Sequence, residues 1–318
     1  MRAIVVVDGA ALELKDVPAP EVREGEVLVQ VRATALNRAD LLQRRGLYAV
    51  PPGESALLGL ECAGLVERAA HGYAAGERVM ALLGGGGYAE LASVPAGALM
   101  RVPERLTFAQ AAAIPEAYLT VWLNVFRLAR LARGEALVVH AAASGIGVAA
   151  LQLARGYAGV VVGTASKAKL ARLAPLGATA LFERESAPFA ERIQAATGGR
   201  GADVILDPVG ASALGDNVAA LALDGRLALI GLLGGTAAEL DLRQVLSKRL
   251  AILGSTLRNR TRAFKAELTA DFAARALPRF ASGEVTPVVD ATFPLERAAE
   301  AHARMEANAN VGKIVLTL

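Results

Sequence analysis

The run Val138-Val139-His140-Ala141-Ala142-Ala143-Ser144-Gly145-Ile146-Gly147 constrains this chain more than any other stretch. A short apolar segment gives way to small residues and glycine, and an apolar helical pattern follows at once. That is the layout of a strand, a tight turn and a helix start, the setting in which a glycine turn can hold phosphate. Gly145 and Gly147 let the backbone approach a pyrophosphate. The helix start adds N–H groups without intrahelical partners and a partial positive charge. The spacing is Ala-x-x-Gly-x-Gly and not Gly-x-Gly-x-x-Gly, so the turn alone also fits a plain strand–helix junction. Its surroundings decide between the two.

Those surroundings alternate. Ala136–His140, Val160–Gly163, Val204–Asp207, Arg226–Ile230 and Ala251–Leu253 read as short apolar strands. Gly147–Arg155, Lys167–Leu176, Phe189–Thr197 and Ser212–Leu221 read as helices between them. Such alternation predicts an α/β fold with a parallel sheet covered on both faces. The first third is different. Ile4–Val7, Val27–Ala33, Leu58–Val66, Arg78–Leu83 and Gly87–Val94 read as strands punctuated by glycine and proline, a β-rich domain. Thr107 is a candidate N-cap for a helix to Ala113, and Glu116–Leu131 predicts another helix. Beyond Asn259, Arg262–Ser282 reads as one long helix, Leu295–Ala307 as a second and Val311–Leu318 as a strand. A chain of 318 residues accommodates about two domains. The expected division is 1–115, 116–258, and a tail over 259–318 that returns to the first domain.

Composition removes several function classes. The formal net charge is only +3 and basic residues are interleaved with acidic ones, so nucleic-acid binding is not expected. Aromatic residues are 4% of the chain, too few to suggest stacking on bases. The single cysteine, Cys62, cannot form an internal disulfide or a multi-cysteine zinc site, and suits a reducing compartment. The uncharged run from Ala136 to Ala154 approaches the length of a membrane span. His140, Ser144, Gly145 and Gly147 interrupt it, which argues against one. The first residues run straight into a strand without a signal-peptide layout, so a cytoplasmic protein is expected.

The second strand of the alternating region bears on the dinucleotide. NAD sites usually place an Asp or Glu about 20 residues past the glycines, bonded to the ribose hydroxyl. Here no acidic residue occurs between Gly145 and Phe182, and the strand ends Gly163-Thr164-Ala165-Ser166-Lys167-Ala168-Lys169. Serine and lysine attract a 2′-phosphate that a carboxylate would repel. NADPH is therefore expected. The plainer alternative makes these lysines a solvated helix start.

With these residues the chain resembles the zinc-free quinone oxidoreductases of the medium-chain dehydrogenase/reductase family, the zeta-crystallin-like group. The likeness rests on Ala142-Ala143-Ser144-Gly145-Ile146-Gly147, on Leu151-Gln152-Leu153-Ala154 and on Ser166-x-x-Lys169-Leu170. It also rests on Leu36-Asn37-Arg38-Ala39-Asp40, Arg45-Gly46-x-Tyr48, Gly59-Leu60-Glu61 and Ile114-Pro115-Glu116. The closing Met305-Glu306-Ala307-Asn308 and Gly312-Lys313-Ile314-Val315-Leu316 belong to the same pattern. Leu221–Arg226 and Gly231-Leu232-x-Gly234-Gly235 bring it nearest the branch of the p53-inducible quinone oxidoreductase of animals. The resemblance implies a GroES-like first domain, a Rossmann second domain, a cofactor between them and a homodimer. It implies that Ser144, Gly145, Ile146 and Gly147 hold the pyrophosphate, and that Thr164, Ser166 and Lys169 lie at the adenine-ribose phosphate. Ile230, Gly231, Leu232, Ser255 and Leu257 would flank the nicotinamide half. Asn37, Tyr48, Thr120 and Asn308 would line the nicotinamide and substrate pocket. Arg184 stands where many relatives carry a tyrosine, and an arginine there can still pair with phosphate.

Zinc-using relatives carry Cys and His ligands at segments that here read Leu36-Asn37-Arg38 and Gly59-Leu60-Glu61, and the cysteines of a structural lobe are missing. His71, His140 and His302 are scattered, so no metal site is expected. Without a Lewis acid, alcohol oxidation is disfavoured and quinone reduction favoured, since hydride transfer to a quinone yields a stabilised hydroquinone anion. Tyr48 and Asn37 are the candidate groups to orient a carbonyl or relay a proton, with simple pocket lining as the alternative. Reduction of a 2-enoyl thioester or another activated carbonyl or alkene is the competing enzymatic reading, and Tyr48 fits both. A non-enzymatic NADPH- or RNA-binding role is the third.

Overall fold

The structure is a computed structural model and describes residues 1–184 and 188–318. The chain divides into two compact units, Met1–Leu119 with Leu257–Leu318, and Thr120–Thr256.

The first unit begins with a hairpin of β1 (Arg2–Val7) and β2 (Ala11–Asp16). Then come β3 (Glu26–Ala35), helix α1 (Arg38–Arg44), β4 (Glu61–Val66), β5 (Arg78–Leu82), β6 (Leu91–Pro95) and β7 (Leu99–Arg101). Val27, Val29 and Val31 alternate along β3 and all point into a core with Cys62, Val79, Ala81 and Val94. Burial pushes the Cys62 thiol up to about 12, so it packs as a small apolar group. Thr107 caps α2 (Phe108–Ala112) as expected, accepting a hydrogen bond from the Gln110 N–H at 3.2 Å. Helix α3 (Pro115–Val121) follows, and its expected continuation is not α-helical. The chain widens into a π-helical turn over Trp122–Leu128, a register that inserts one extra residue per turn.

The second unit holds six parallel strands: β8 (Ala136–Val139), β9 (Val160–Ala165), β10 (Ala180–Glu183), β11 (Ala202–Asp207), β12 (Leu221–Leu229) and β13 (Ala251–Gly254). Helices α4 (Gly145–Ala154), α5 (Lys167–Leu173), α6 (Phe189–Ala196), α7 (Leu214–Ala220) and α8 (Leu242–Lys248) lie between them in sequence. The strand order β10-β9-β8-β11-β12-β13 is that of a doubly wound dinucleotide-binding sheet, with the order reversing beside β8. β8 is buried along its whole length, as a central parallel strand covered on both faces must be. β10 was not foreseen, because its four residues carry too little pattern to register.

The tail returns to the first unit with α9 (Arg262–Arg275), α10 (Leu277–Ser282), β14 (Val289–Pro294), α11 (Ala298–Glu306) and β15 (Lys313–Thr317). The single long helix expected here is two, broken at Ala276. Pro278, in the first turn of α10, has no N–H to continue the ladder. β15 pairs antiparallel with β3 and so completes a seven-stranded sheet, ordered β14-β15-β3-β4-β5-β7 with β6 also on β3. Ile314 and Leu316 pack with Leu36, Leu58 and Tyr88 in a second core. Among the described residues, no helix is long and apolar enough to cross a membrane.

Candidate active site

In the second unit the glycine turn is built as its sequence predicts. Ser144 caps α4, its Oγ accepting the Gly147 N–H at 2.9 Å. The Val148 N–H bonds back to the Ser144 carbonyl, which leaves the N–H groups of Gly145 and Ile146 without intrahelical acceptors. Gly147 lies against the turn so closely that a Cβ there would sit 2.4 Å from the Ala141 oxygen and 2.5 Å from the Ala142 Cα. Ala141 itself takes a left-handed conformation, φ 48°. Close approach and free N–H groups fit a pyrophosphate.

The neighbouring strand ends divide into inward and outward groups. Thr164, expected at the cofactor, is 2% exposed and its Oγ1 is engaged with His140 Nδ1 at 2.9 Å. Its hydroxyl thus belongs to the core, where His140 Nε2 meets Asn217 Oδ1 at 2.6 Å and Asn217 Nδ2 donates to Asp207 Oδ2 at 3.0 Å. The Asp207 carboxylate in turn accepts the Val209 and Gly210 N–H groups. Ser166 is exposed and its side chain makes no cap hydrogen bond, so its hydroxyl is not committed to the start of α5. Lys169 is half-buried one turn further on. Arg184 is exposed, and its N–H donates to the Ala165 carbonyl at 2.9 Å, which brings it beside Ser166. Glu183, opposite Ala165 in the β9–β10 register, is a carboxylate at the same strand ends.

Around the end of β12, the Ile230 N–H bonds to the Asp207 carbonyl at 2.9 Å, and Gly231 passes close over Pro208. Leu232 is exposed. Ser255 Oγ donates to Asn124 Oδ1 at 2.6 Å, and Asn124 Nδ2 donates to the Thr120 carbonyl at 2.8 Å. Ser255 and Thr120 are therefore joined through Asn124, a residue of the π-helical turn that no sequence motif singles out. Leu257 is buried.

The first unit holds a second polar cluster, made of charges. Lys313 Nζ pairs with Glu61 Oε1 at 2.7 Å and donates to Asn37 Oδ1 and the Leu36 carbonyl, each at 2.7 Å. Asn37 Nδ2 donates to Glu61 Oε1 at 2.9 Å and to the Ala35 carbonyl at 3.2 Å. Glu61 Oε2 accepts the Glu116 N–H at 2.8 Å. Both amide hydrogens of Asn37 are thus engaged, and it has no donor for a substrate carbonyl. The expected orienting role is not open to it; Asn37 supports the cluster.

Asp40 lies beneath. It accepts the Asn37 N–H at 2.7 Å and the Gly59 N–H at 3.1 Å, and burial pushes it up to about 6. The Tyr88 hydroxyl lies 3.4 Å from Asp40 Oδ2 and 3.1 Å from His302 Nε2, while Arg44 Nη1 reaches His302 Nδ1 at 3.3 Å. A guanidinium only donates, so Nδ1 accepts and Nε2–H donates to Tyr88. Burial, and then the charge of Arg44, hold His302 down to about 3, neutral.

Tyr48 is half-buried with the Arg258 guanidinium 5.2 Å from its ring centroid. Arg258 Nε donates to the Gly84 carbonyl at 2.8 Å and Nη1 reaches the Ala49 carbonyl at 3.4 Å. Its Nη2 is buried and has no hydrogen-bond partner among the described residues. Burial, and next the charge of Glu116, raise the Tyr48 hydroxyl above its ordinary value. Burial, and then Glu61, push the Glu116 carboxyl up to about 8. Asn308, expected at the nicotinamide pocket, is exposed, and its amide is held by Arg38 Nη2 at 2.6 Å. The sequence assigned no role to Glu61, Lys313 or Arg258. The available signal was a charge set inside an otherwise apolar strand, as in Gly-Leu-Glu61-Cys and Lys313-Ile-Val-Leu. Among the described residues, no group of three His, Cys, Asp or Glu side chains is placed to hold a metal ion.

Two family models match in succession. The alcohol dehydrogenase GroES-like domain covers residues 23–104, and the zinc-binding dehydrogenase domain covers residues 145–274. Rat quinone oxidoreductase is 31% identical over 328 residues, covering 100% of this chain and 98% of its own length.

The chain belongs to the medium-chain dehydrogenase/reductase family.

Solved structures of this family match it end to end. A mycobacterial protein complexed with NADPH has a TM-score of 0.87 at 30% identity, with 100% of both chains covered. An NAD-dependent alcohol dehydrogenase has a TM-score of 0.86 at 32% identity, also with 100% of both covered. An enoyl reductase has a TM-score of 0.86 at 26% identity, covering 99% of this chain and 98% of its own. The first unit carries the GroES-like domain and the second the Rossmann domain. The protein is an oxidoreductase of small molecules that works with a nicotinamide cofactor.

Proposed function

We propose that this enzyme reduces quinones at the expense of NADPH by direct hydride transfer. The observation that carries the reading is the α4 N-terminus. There Gly145 and Ile146 offer free N–H groups beside the close-packed Gly147, and the neighbouring strand ends carry Ser166, Lys169 and Arg184. The first set suits a pyrophosphate and the second a 2′-phosphate. A reduced nicotinamide bound there supplies the hydride. Thr120, Ile230, Gly231 and Leu232 are the residues we assign to its nicotinamide half, and Tyr48 is the residue we assign to the substrate. In the segments Leu36-Asn37-Arg38 and Gly59-Leu60-Glu61, which lack the Cys and His ligands of zinc-using relatives, Asn37 and Glu61 hold the Lys313 ammonium, which supports a reaction without metal.

A second reading has its own support. The similarity to an enoyl reductase and the half-buried Tyr48 hydroxyl suit reduction of a 2-enoyl thioester, in which a phenol protonates carbon. Purified protein is mixed with NADPH or NADH and with ortho-quinones or trans-2-enoyl thioesters. Faster oxidation of NADPH, with quinones alone, is the expected outcome. Turnover of thioesters that collapses in Tyr48→Phe assigns the enzyme to the second reading. Preference for NADH would point to Glu183 as a ribose ligand in place of Ser166 and Lys169.

We also infer a homodimer. β13 is an edge strand, and Leu242, Leu246 and Ile252 are exposed on it and on α8, an apolar edge that a second copy would cover. Light scattering of the purified chain tests this. We assign the enzyme to the cytoplasm, which its single buried thiol suits.

A further inference from the structure

We propose that Glu116 donates the proton that completes the reduction, and that Arg258 and Lys265 receive the carboxylate it leaves. The proposal rests on the hydride-transfer reading above. It starts from an imbalance of charge. Asn37 bonds both Asp40 and Glu61, the Glu116 N–H bonds Glu61, and the ammonium of Lys313 pairs with Glu61. Like charges this close do not all ionise, and the proton stays on the carboxyl with the fewest donors. Glu61 accepts from Lys313, Asn37 and the Glu116 N–H. Asp40 accepts from the N–H groups of Asn37 and Gly59. The Glu116 carboxyl receives no hydrogen bond among the described residues, so it is the one that keeps a proton at neutral pH.

Its position suits the task. Glu116 lies in the first turn of α3 and is only half-buried, which leaves the residue a route to solvent. Tyr48, Arg258 and Lys265 all lie within electrostatic reach of it. Arg258 carries the buried Nη2 without a partner among the described residues, and Lys265 is a lysine only 6% exposed. Both favour a negative charge formed nearby, alongside the Glu54 carboxylate that already acts on them. In the reaction, the hydride adds to a carbon conjugated with a carbonyl, and the displaced electron pair moves to the carbonyl oxygen. The O–H bond of Glu116 breaks and its proton joins that oxygen. The resulting Glu116 carboxylate is reloaded from solvent.

The charged and titratable groups that act on Glu116 are Glu61, Asp40, Lys313, Lys265, Tyr48 and Arg258. With its carboxyl near 8, the acid form is present below that pH and lost above it. Turnover should therefore fall as pH rises through about 8, and Glu116→Gln should remove that limb. The same change should lower kcat at pH 7 about 100-fold, the usual scale of general acid catalysis. Cofactor affinity, measured by fluorescence titration, should stay within about twofold in Glu116→Gln. Infrared spectra of the resting protein give a readout apart from turnover: a protonated carboxyl band at pH 7, lost at pH 9 and lost in Glu116→Gln. If the wild type turns over and Glu116→Gln keeps its alkaline limb, or if the band is unchanged, Glu116 is not the donor. If the limb vanishes instead in Tyr48→Phe, the donor is Tyr48. If the wild type oxidises no cofactor with either substrate class, the proposed function itself falls, and the role with it.

Discussion

The two units bury polarity in different ways. In the second, Thr164, His140, Asn217 and Asp207 form a chain in which each side chain meets the next and the carboxylate is capped by backbone N–H groups. In the first, Glu61, Lys313, Asp40, Glu116 and Arg258 form an open set, in which, among the described residues, one carboxyl lacks donors and one guanidinium nitrogen lacks an acceptor. Such a chain fixes one arrangement of the sheet that presents the glycine turn. An open set leaves charge and protons available to a ligand, at a cost in stability. On the proposed reading, the pyrophosphate is held by backbone geometry and the substrate side depends on unbalanced side chains.

The sharpest way to break this contrast is to remove the one full ion pair of the open set. Lys313→Met leaves Glu61 buried and uncompensated, and should destabilise the protein by about 3–5 kcal/mol in urea unfolding. Adding Glu61→Gln should restore much of the loss, and a double mutant no more stable than Lys313→Met would show that the pair is not what matters. On the cofactor side, Lys169→Ala should weaken NADPH by about 1.5–3 kcal/mol, roughly 10- to 100-fold, and spare NADH. Equal loss for both cofactors would remove Lys169 from the 2′-phosphate. Gly147→Val puts a branched side chain where even a Cβ would lie 2.4 Å from the Ala141 oxygen. It should cost about 1–3 kcal/mol of stability and abolish binding of either cofactor, read by calorimetry.

The smallest expected effect is one of pH. His302 is held neutral, with its affinity for a proton lowered from the ordinary 6.5 to about 3. A histidine depressed in this way contributes stability above 6.5 and loses it as pH falls toward 3, because the unfolded chain takes up the proton first. By pH 5 the loss should reach about 2 kcal/mol at most. The stability gap between wild type and His302→Gln should narrow by that amount between pH 7 and 5. A gap that widens on acidification would mean that the folded protein binds a proton at His302 more tightly than the unfolded chain does, so that the imidazole is not held neutral.

Much of the fold could be read from local pattern. The alternating strands and helices of the second unit, the turn at Ser144–Gly147 and the Thr107 cap depend on residues close in sequence, and period and capping chemistry report them directly. Where reading failed, a local feature competed with the pattern. Pro278 breaks a helix whose apolar spacing runs on, and the π-helical turn at Trp122–Leu128 keeps a helical composition while changing its register. The side-chain roles were harder to see. Thr164 has the composition of a phosphate ligand, yet its hydroxyl faces His140; Asn37 has a donor amide, yet Glu61 and the Ala35 carbonyl take both hydrogens.

By itself the sequence determined the class of the fold and the glycine turn, because both rest on backbone geometry that glycine spacing and hydrophobic period impose locally. Only the tertiary structure decided the charged site. Asn37, Tyr48, Glu61, Glu116, Arg258 and Lys313 come from distant parts of the chain, and neighbours supplied by folding determine whether each donates, accepts or keeps its proton. Electrostatic interaction depends on separation in space and on burial, and neither is written in the order of residues.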